Sequence, residues 1–393
     1  MSTHKQTFLA PMTQPDRPIY LDCAATTPID PRVREVVLHY MDVEFGNAGS
    51  RTHIYGQEAA KGVKKAREQL AAVVDAKPEE VIFTSGATEA NNLATLGLAQ
   101  YGMNTAKRHI ISTQIEHNAV LEPLEHLSKN GFEVELIPSL PYGYVDPDEI
   151  GRRIRDDTLL VSVMHVNNET GVVQPLDAIA NRLRHSDAFF HVDSAQGFCK
   201  ELSHLANPRI DAISASGHKL HAPSGVGCLV LRSTRKIHRH IQPLLRGGKQ
   251  ERGIRPGTIP TALLCGFGEA ASLAVNEHTS RRQKWVMRRT EFTNALQSFS
   301  YTIHGEEALI LPNILNFRIQ NIDADFLIHA LRDDIAISNG SACTSDSFTN
   351  SHVISAMYPA TIFAEQACRA SWSHLTPEID SAAIAQSIFR ALS

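Results

Sequence analysis

The sequence predicts an α/β fold: a mainly parallel, seven-stranded sheet with helices on both faces, followed by a smaller α+β domain. Three observations carry this expectation. Seven short apolar segments, at residues 81–84, 108–112, 133–137, 159–165, 188–193, 210–215 and 227–231, are separated mostly by helical patterns, notably 88–100, 119–130 and 176–185. Strand–helix alternation over such a length buries a parallel sheet between two helical layers. Past Gly257 the texture changes to a long helical region over 261–299, a β-rich piece at 313–318 and a helix at 323–332. The 393 residues suffice for two domains and a sizeable core.

Taken in order, residues 1–18 are polar, hold three prolines and are expected to form a flexible tail. Residues 19–22 read as a short strand. Pro28, Asp30 and Pro31 then punctuate the chain before a helix over 32–41. A loop with glycine and asparagine follows at 46–51. The next helix, 56–74, carries Ala59, Val63, Ala66 and Leu70 at helical spacing. The expected division is 19–32 as the N-terminal segment of the small domain, 33–274 as the large domain, and 275–393 as the small C-terminal domain. The long helical region carries Arg281, Arg282, Lys284, Arg288 and Arg289, which read as a solvated face or a docking surface for a partner.

Composition narrows the function. A net charge of −4 argues against an electrostatic nucleic-acid binder, so direct contact with nucleic acid is not expected. Six cysteines (Cys23, Cys199, Cys228, Cys265, Cys343, Cys368) lack paired spacing, which fits a reducing compartment and implies no structural metal. The N-terminal residues lack the apolar core of a signal peptide, and no run is long enough to span a bilayer. A cytoplasmic protein is expected.

Five stretches carry chemistry. In Phe83-Thr84-Ser85-Gly86-Ala87-Thr88-Glu89 a strand turns into a helix, whose first N–H groups and Thr88 hydroxyl form either a phosphate site or an ordinary helix start. In His191-Val192-Asp193-Ser194-Ala195-Gln196 an aspartate ends a buried strand. It meets a cation such as a protonated pyridine nitrogen, or it caps the next helix. His117, after the strand at 108–112, either stacks on a flat ring and moves protons or is structural. Lys219 closes Ser216-Gly217-His218-Lys219 just past a strand end, the place where an α/β enzyme presents chemistry, although most lysines are surface charges. All four fall at the carboxyl edge of one parallel sheet. Together they specify pyridoxal 5′-phosphate, with Lys219 as its Schiff-base lysine. The fifth stretch, Ser338-Asn339-Gly340-Ser341-Ala342-Cys343-Thr344-Ser345, sets a cysteine among small polar residues. Accessible polar surroundings suit a nucleophilic thiol, whereas Cys23 and Cys228 read as packing.

These stretches, with Met164-His165-Val166-Asn167-Asn168-Glu169-Thr170-Gly171-Val172 and Arg255-Pro256-Gly257-Thr258, closely resemble the cysteine desulfurases, in the branch with a long cysteine loop, within the fold-type I pyridoxal-phosphate enzymes. The likeness runs from about Tyr20 to Arg369. It implies that Lys219 holds the cofactor, Asp193 pairs its ring nitrogen, Gln196 bonds its phenolic oxygen and His117 stacks on the ring. Ala87, Thr88, Ser216 and His218 would hold the phosphate. Thr258 would reach the phosphate of a neighbouring subunit, implying a homodimer. Asn168 and Arg369 would hold L-cysteine, with Arg369 on its carboxylate. Cys343 would take the sulfur as a persulfide, leaving L-alanine, and pass it to an acceptor protein. Departures from the family pattern fall at Asn339, at Pro256, in residues 370–374 and in residues 357–363, near the expected substrate entrance and acceptor surface.

Within the family, residues 45–53 look most like the desulfurases of bacterial DNA phosphorothioation systems. Sulfur donation for iron–sulfur cluster assembly or transfer-RNA thiolation is the alternative acceptor pathway. A selenocysteine lyase or aminotransferase of the same fold, and a catalytically silent scaffold that docks sulfur-handling partners, are the competing functions.

Overall fold

A computed structural model describes residues 17–340 and 350–392. The chain runs β1 (Ile19–Tyr20), α1 (Pro31–Asp42), α2 (Ile54–Val73), β2 (Val81–Thr84), α3 (Ala87–Thr95), α4 (Ala99–Thr105), β3 (His109–Thr113), α5 (Asn118–Lys129), β4 (Glu133–Ile137), α6 (Pro147–Arg153), β5 (Thr158–Met164), α7 (Leu176–Arg182), β6 (Phe189–Asp193), β7 (Ala212–Ser216) and β8 (Gly227–Leu231). Then follow α8 (Thr261–Asn276), α9 (His278–Leu296), β9 (Tyr301–Ile303), β10 (Ile314–Ile319), α10 (Ala324–Leu331), β11 (Ile335–Ala336), α11 (His352–Met357), α12 (Ile362–Glu365), β12 (Cys368–Ser371) and α13 (Ser381–Leu392).

The main sheet has seven strands in the order β2-β8-β7-β6-β5-β3-β4. Only the pairings of β8 are antiparallel; β4, β3, β5, β6 and β7 run parallel. Every residue of β3, β5, β6 and β7 is buried, as a strand covered on both faces requires. At the rim β4 exposes Glu133 and Leu136, which its edge position tolerates. One apolar cluster packs α2, α7 and α8 on one face through Leu70, Ile179 and Phe267, and another packs α3 and α5 on the opposite face through Leu93 and Leu124.

A separate core gathers Trp285, Phe292, Phe317, Leu327, Trp372 and Ile388 around the antiparallel sheet β12-β10-β9. The N-terminal β1 joins this part: it pairs in parallel with β11, and Asp22 bridges to Ser371. No local pattern announces such pairings, since their partners lie hundreds of residues away.

Two expectations need correction. The helical region expected over 261–299 is two helices, because Glu277 leaves the helical conformation (φ −102°, ψ 10°). Its carboxylate accepts from Arg32 of α1 and from Arg281 one turn on. In the basic cluster Lys284 is exposed, as on a solvated face, but the four arginines are held by partners within the fold. Arg281 is buried and paired with Glu277 and Asp30, Arg282 meets Glu201, Arg288 pairs with Glu291, and Arg289 donates to the Ile314 carbonyl. Buried guanidinium groups need such partners, so the arginines belong to the packing of α9.

Gly227 opens β8 where that strand passes the turn before α3. A Cβ there would lie 2.5 Å from the Ala215 oxygen and 2.6 Å from the Gly86 Cα, both backbone atoms that cannot swing away. Gly227→Ala is therefore expected to lower the thermal midpoint, at a cost of about 1–3 kcal/mol of overpacking strain, and to weaken anion binding at the Gly86 turn. Calorimetry and phosphate titration check this; an unchanged midpoint would mean that β8 yields without cost.

Candidate active site

The strand ends converge. β2, β3, β5, β6 and β7 finish at Thr84, Thr113, Met164, Asp193 and Ser216, all on the carboxyl edge of the sheet. Ligands in open α/β sheets bind there. The structure holds a cavity of about 350 Å³ at this edge, and Ala87, Thr88, His117, Asn168, Asp193, Gln196, Ser216, His218, Lys219 and Arg369 all line it. Thr258 is exposed and is not among the lining residues.

Asp193 lies on the floor. Its carboxylate accepts from Asn91 Nδ2 (2.7 Å) and from the Ala195 N–H (2.9 Å), and only 5 % of the residue is exposed. Both donors are neutral, and among the described residues Asp193 forms no ion pair. A buried carboxylate without a counter-charge is costly, so the site lacks a cation here. The protonated ring nitrogen of pyridoxal phosphate is such a cation, and the fit is direct.

At the other end, Gly86 caps α3 with no side-chain hydrogen bond, leaving its first N–H groups for a ligand. Glu89 in that first turn would repel an anion. Its carboxylate is instead turned to Arg255 Nε (2.8 Å) and the Ser85 N–H (2.7 Å), which hold it below the usual carboxylate range despite partial burial. Ser216 stands beside Gly86, its Oγ 3.6 Å from where a Cβ would project. Burial, with Lys219 and Lys200 nearby, pushes His218 down to about 4.

Lys219 follows β7 in a short helical turn, and its Nζ donates to the carbonyls of Ala24 and Ala25, each at 2.6 Å. Gln196 Nε2 donates to the same Ala24 carbonyl (2.7 Å). His117 caps α5, its Nδ1 accepting the Ala119 N–H at 3.0 Å. That bond puts the neutral ring's proton on Nε2. Below it, Glu116 is fully buried. Its Oε1 accepts from the Thr113 hydroxyl and the Met164 N–H, and burial pushes the carboxyl up to about 8.

Arg369 enters from β12. Its Nη2 pairs with Asp22 (2.8 Å) and its Nη1 donates to the Asn168 carbonyl (3.0 Å). The buried Nε has no partner. Arg369 lines the cavity, and a guanidinium on its wall is a donor group for a carboxylate. Asn168 thus touches the site through its backbone as well as its place on the wall.

Cys343 lies outside the described residues. The described positions on either side of that stretch both rest on Glu169. A Cβ on Gly340 (φ +84°) would come within 2.9 Å of its Oε2, and Ser351 Oγ donates to the same oxygen. The other five thiols are buried, and burial raises all of them, Cys23 and Cys265 to about 11 and Cys228 to about 12. None is poised as a thiolate.

Asn91, Ala24 and Ala25 line the pocket, and Asp22 and Glu116 bond to Arg369 and Met164 of its lining; the sequence reading gave none of them a role. Asp22 and Ala24 reach the site only through tertiary pairing, and Asn91 sits mid-helix with no motif around it. The Glu116 carboxyl supplies a pH test. Its native pKa is raised above 4.5, so its contribution to stability is full below about 4.5 and is lost as pH rises through about 8. Glu116→Gln, neutral throughout, is expected to lose less stability than wild type over that window, so the difference in thermal midpoint shifts in favour of the variant as pH rises. Parallel curves would show that Glu116 does not titrate there.

The Aminotransferase class-V family matches residues 19–380. Cysteine desulfurase IscS of Rickettsia bellii is 42% identical over 342 residues, covering 86% of this chain and 82% of that protein. Among solved structures, DndA from Streptomyces lividans is 46% identical with a TM-score of 0.79, over 90% of this chain and 99% of that one. A structure described as SspA in complex with cysteine is 34% identical with a TM-score of 0.80, over 92% and 99%. The chain belongs to the class-V aminotransferase family, on its cysteine desulfurase branch, and is a pyridoxal-phosphate-dependent enzyme.

Proposed function

We propose that this enzyme converts L-cysteine to L-alanine, takes the sulfur as a persulfide on Cys343, and passes it to an acceptor protein for DNA phosphorothioate modification. The observation that carries the chemistry is the pairing of an uncompensated buried carboxylate, Asp193, with an uncapped helix start at Gly86 in one cavity that Lys219 and Arg369 also line.

The residues divide the work. Ala87, Thr88, Ser216 and His218 would hold the phosphate, and Asp193 the ring nitrogen. His117 would stack on the ring, with its Nε2 proton on the pocket side of the Nδ1 bond to Ala119. Gln196 would bond the phenolic oxygen. Pyridoxal phosphate, once bound through Lys219, supplies electron withdrawal at the substrate's α-carbon. Lys219 would hold the cofactor and carry the α-proton. The Arg369 guanidinium would hold the substrate carboxylate, with Asn168 beside it. Cys343, as thiolate, would attack the substrate sulfur; the new S–S bond forms as the carbon–sulfur bond breaks.

The acceptor pathway rests on the Phe45–His53 likeness together with the 46% identity to DndA, against 42% to IscS of Rickettsia bellii. The second reading, sulfur donation for iron–sulfur cluster assembly, is supported by that IscS relative. A homodimer is part of the proposal: Phe45 and Tyr55 stack at 5.4 Å on an exposed surface with Val43 and Ile54, and Thr258 is exposed outside its own cavity. Among the described residues no helix is long and apolar enough to cross a membrane, and we place the enzyme in the cytoplasm.

Three measurements test this. Cys343→Ala is expected to retain the yellow bound cofactor but to lose persulfide labelling and sulfur transfer; persistent transfer would assign the nucleophile elsewhere. Arg369→Lys, which removes the planar donor fork, is expected to raise KM for cysteine about tenfold or more. An unchanged KM would move the carboxylate site. Native capture of the protein that accepts labelled sulfur decides the pathway: recovery of iron–sulfur scaffold proteins without any DNA-modification protein would overturn the phosphorothioation reading.

A further inference from the structure

Lys200 is a buried lysine that the roles above leave unused. It is 6 % exposed, and its Nζ donates to Gln196 Oε1 at 3.2 Å. The amide nitrogen of Gln196 donates in turn to the Ala24 carbonyl, which also receives the Lys219 amine. A hydrogen-bonded chain therefore links two lysines through one glutamine and one carbonyl. Its direction is compulsory. An ammonium only donates, so the Gln196 atom that faces Lys200 is oxygen; a carbonyl only accepts, so the atom that faces Ala24 is nitrogen. Neither end tolerates a flipped amide.

We propose that Lys200 is a positioning residue of the cofactor site, which fixes the Gln196 amide so that its NH₂ group, and not its oxygen, is presented toward the ring of pyridoxal phosphate. The inference rests on the assignment of the cavity to that cofactor. Without Lys200 the two orientations of Gln196 would differ only by the bond to Ala24. A flipped amide would set an oxygen against the cofactor's phenolic oxygen, where two acceptors repel.

The surroundings make this device sensitive to pH. Burial, then the neighbouring Lys219, lower the Lys200 amine to about 7. The other groups that feel it are neutral around that pH. Cys23, in the N-terminal segment, is held as a thiol by burial, as is Cys199 beside it. His218 and His221, around Lys219, are pushed down by burial to about 4 and about 3. His278 of α9 meets only the Lys200 backbone carbonyl. Lys219 is thus the charged group it faces. Below about 7 Lys200 is an ammonium and the direction of Gln196 is enforced. Above it a neutral amine also accepts, and only the Ala24 carbonyl still sets the direction of the amide.

The experiment uses full-length protein stripped of cofactor and refilled with pyridoxal phosphate. Wild type is expected to bind it and to show a change in the bound cofactor's absorbance with an inflection below the ordinary lysine range, since burial still lowers Lys200 once Lys219 holds the cofactor. Lys200→Met, apolar and of similar length, is expected to weaken cofactor affinity about tenfold, the scale of one hydrogen bond to a charged group, and to lose the inflection. Lys200→Arg keeps a cationic donor and is expected to recover affinity but not the inflection. Gln196→Leu is expected to lose the inflection with Lys200 in place, and serves alone if Lys200→Met does not fold. Combining Gln196→Leu with Lys200→Met should add little to either. Wild-type affinity and pH profile in Lys200→Met, or effects that multiply in the double variant, overturn the inference. If wild type binds no pyridoxal phosphate at all, it is the cavity assignment that fails.

Discussion

The carbonyl oxygen of Ala24 accepts from Lys219 Nζ at 2.6 Å and from Gln196 Nε2 at 2.7 Å, and much of the site depends on where that carbonyl is held. Ala24 belongs to the N-terminal segment, far in sequence from either donor. Tertiary pairing sets its place: β1 on β11, Asp22 against Ser371, and the Ala24 N–H on Ser371 Oγ at 2.8 Å. Two residues before it, Asp22 pairs with Arg369. A stretch of four residues thus touches Lys219, Gln196 and Arg369. Movement of the part built on β10 and β12 would be felt at Lys219 through this segment.

The charges of the pocket follow one rule. Those that the fold satisfies are neutralised within it: Glu89 by Arg255, Arg369 by Asp22, Arg281 by Glu277 and Asp30. What stays uncompensated is what a ligand would complete. Asp193 has neutral donors but no cation, Arg369 Nε has no acceptor, and α3 begins with its N–H groups uncapped. A ring cation, a carboxylate and a phosphate answer these three needs in turn. Burying polar groups without partners costs stability, so unmet needs that converge on one cavity point to a ligand there.

Much of this was legible in the sequence. Continuous apolar runs such as 159–165 and 188–193 belong to strands buried on both faces, and their carboxyl ends coincide with the stretches that carry Asp193, His117, Lys219 and Gly86. Local chemistry reads well because each stretch is a strand, a turn and a helix start in direct succession. Tertiary partners read poorly. Asp22 looked like the end of a short strand, and nothing near it points to Arg369, 347 residues away. The arginines of α9 looked like a free basic face because the acids that meet them, Asp30, Glu201 and Glu277, come from other elements or from the break before the helix. Glu277 itself has no glycine or proline to signal that break.

The central claim is that Lys219, and not its buried neighbour Lys200, anchors pyridoxal phosphate in this cavity. Borohydride reduction of the holoenzyme followed by peptide mapping tests it most directly, because reduction fixes the cofactor to the amine that holds it. The account predicts the pyridoxyl mark on Lys219. A mark on Lys200, or on any lysine outside the cavity, would contradict it.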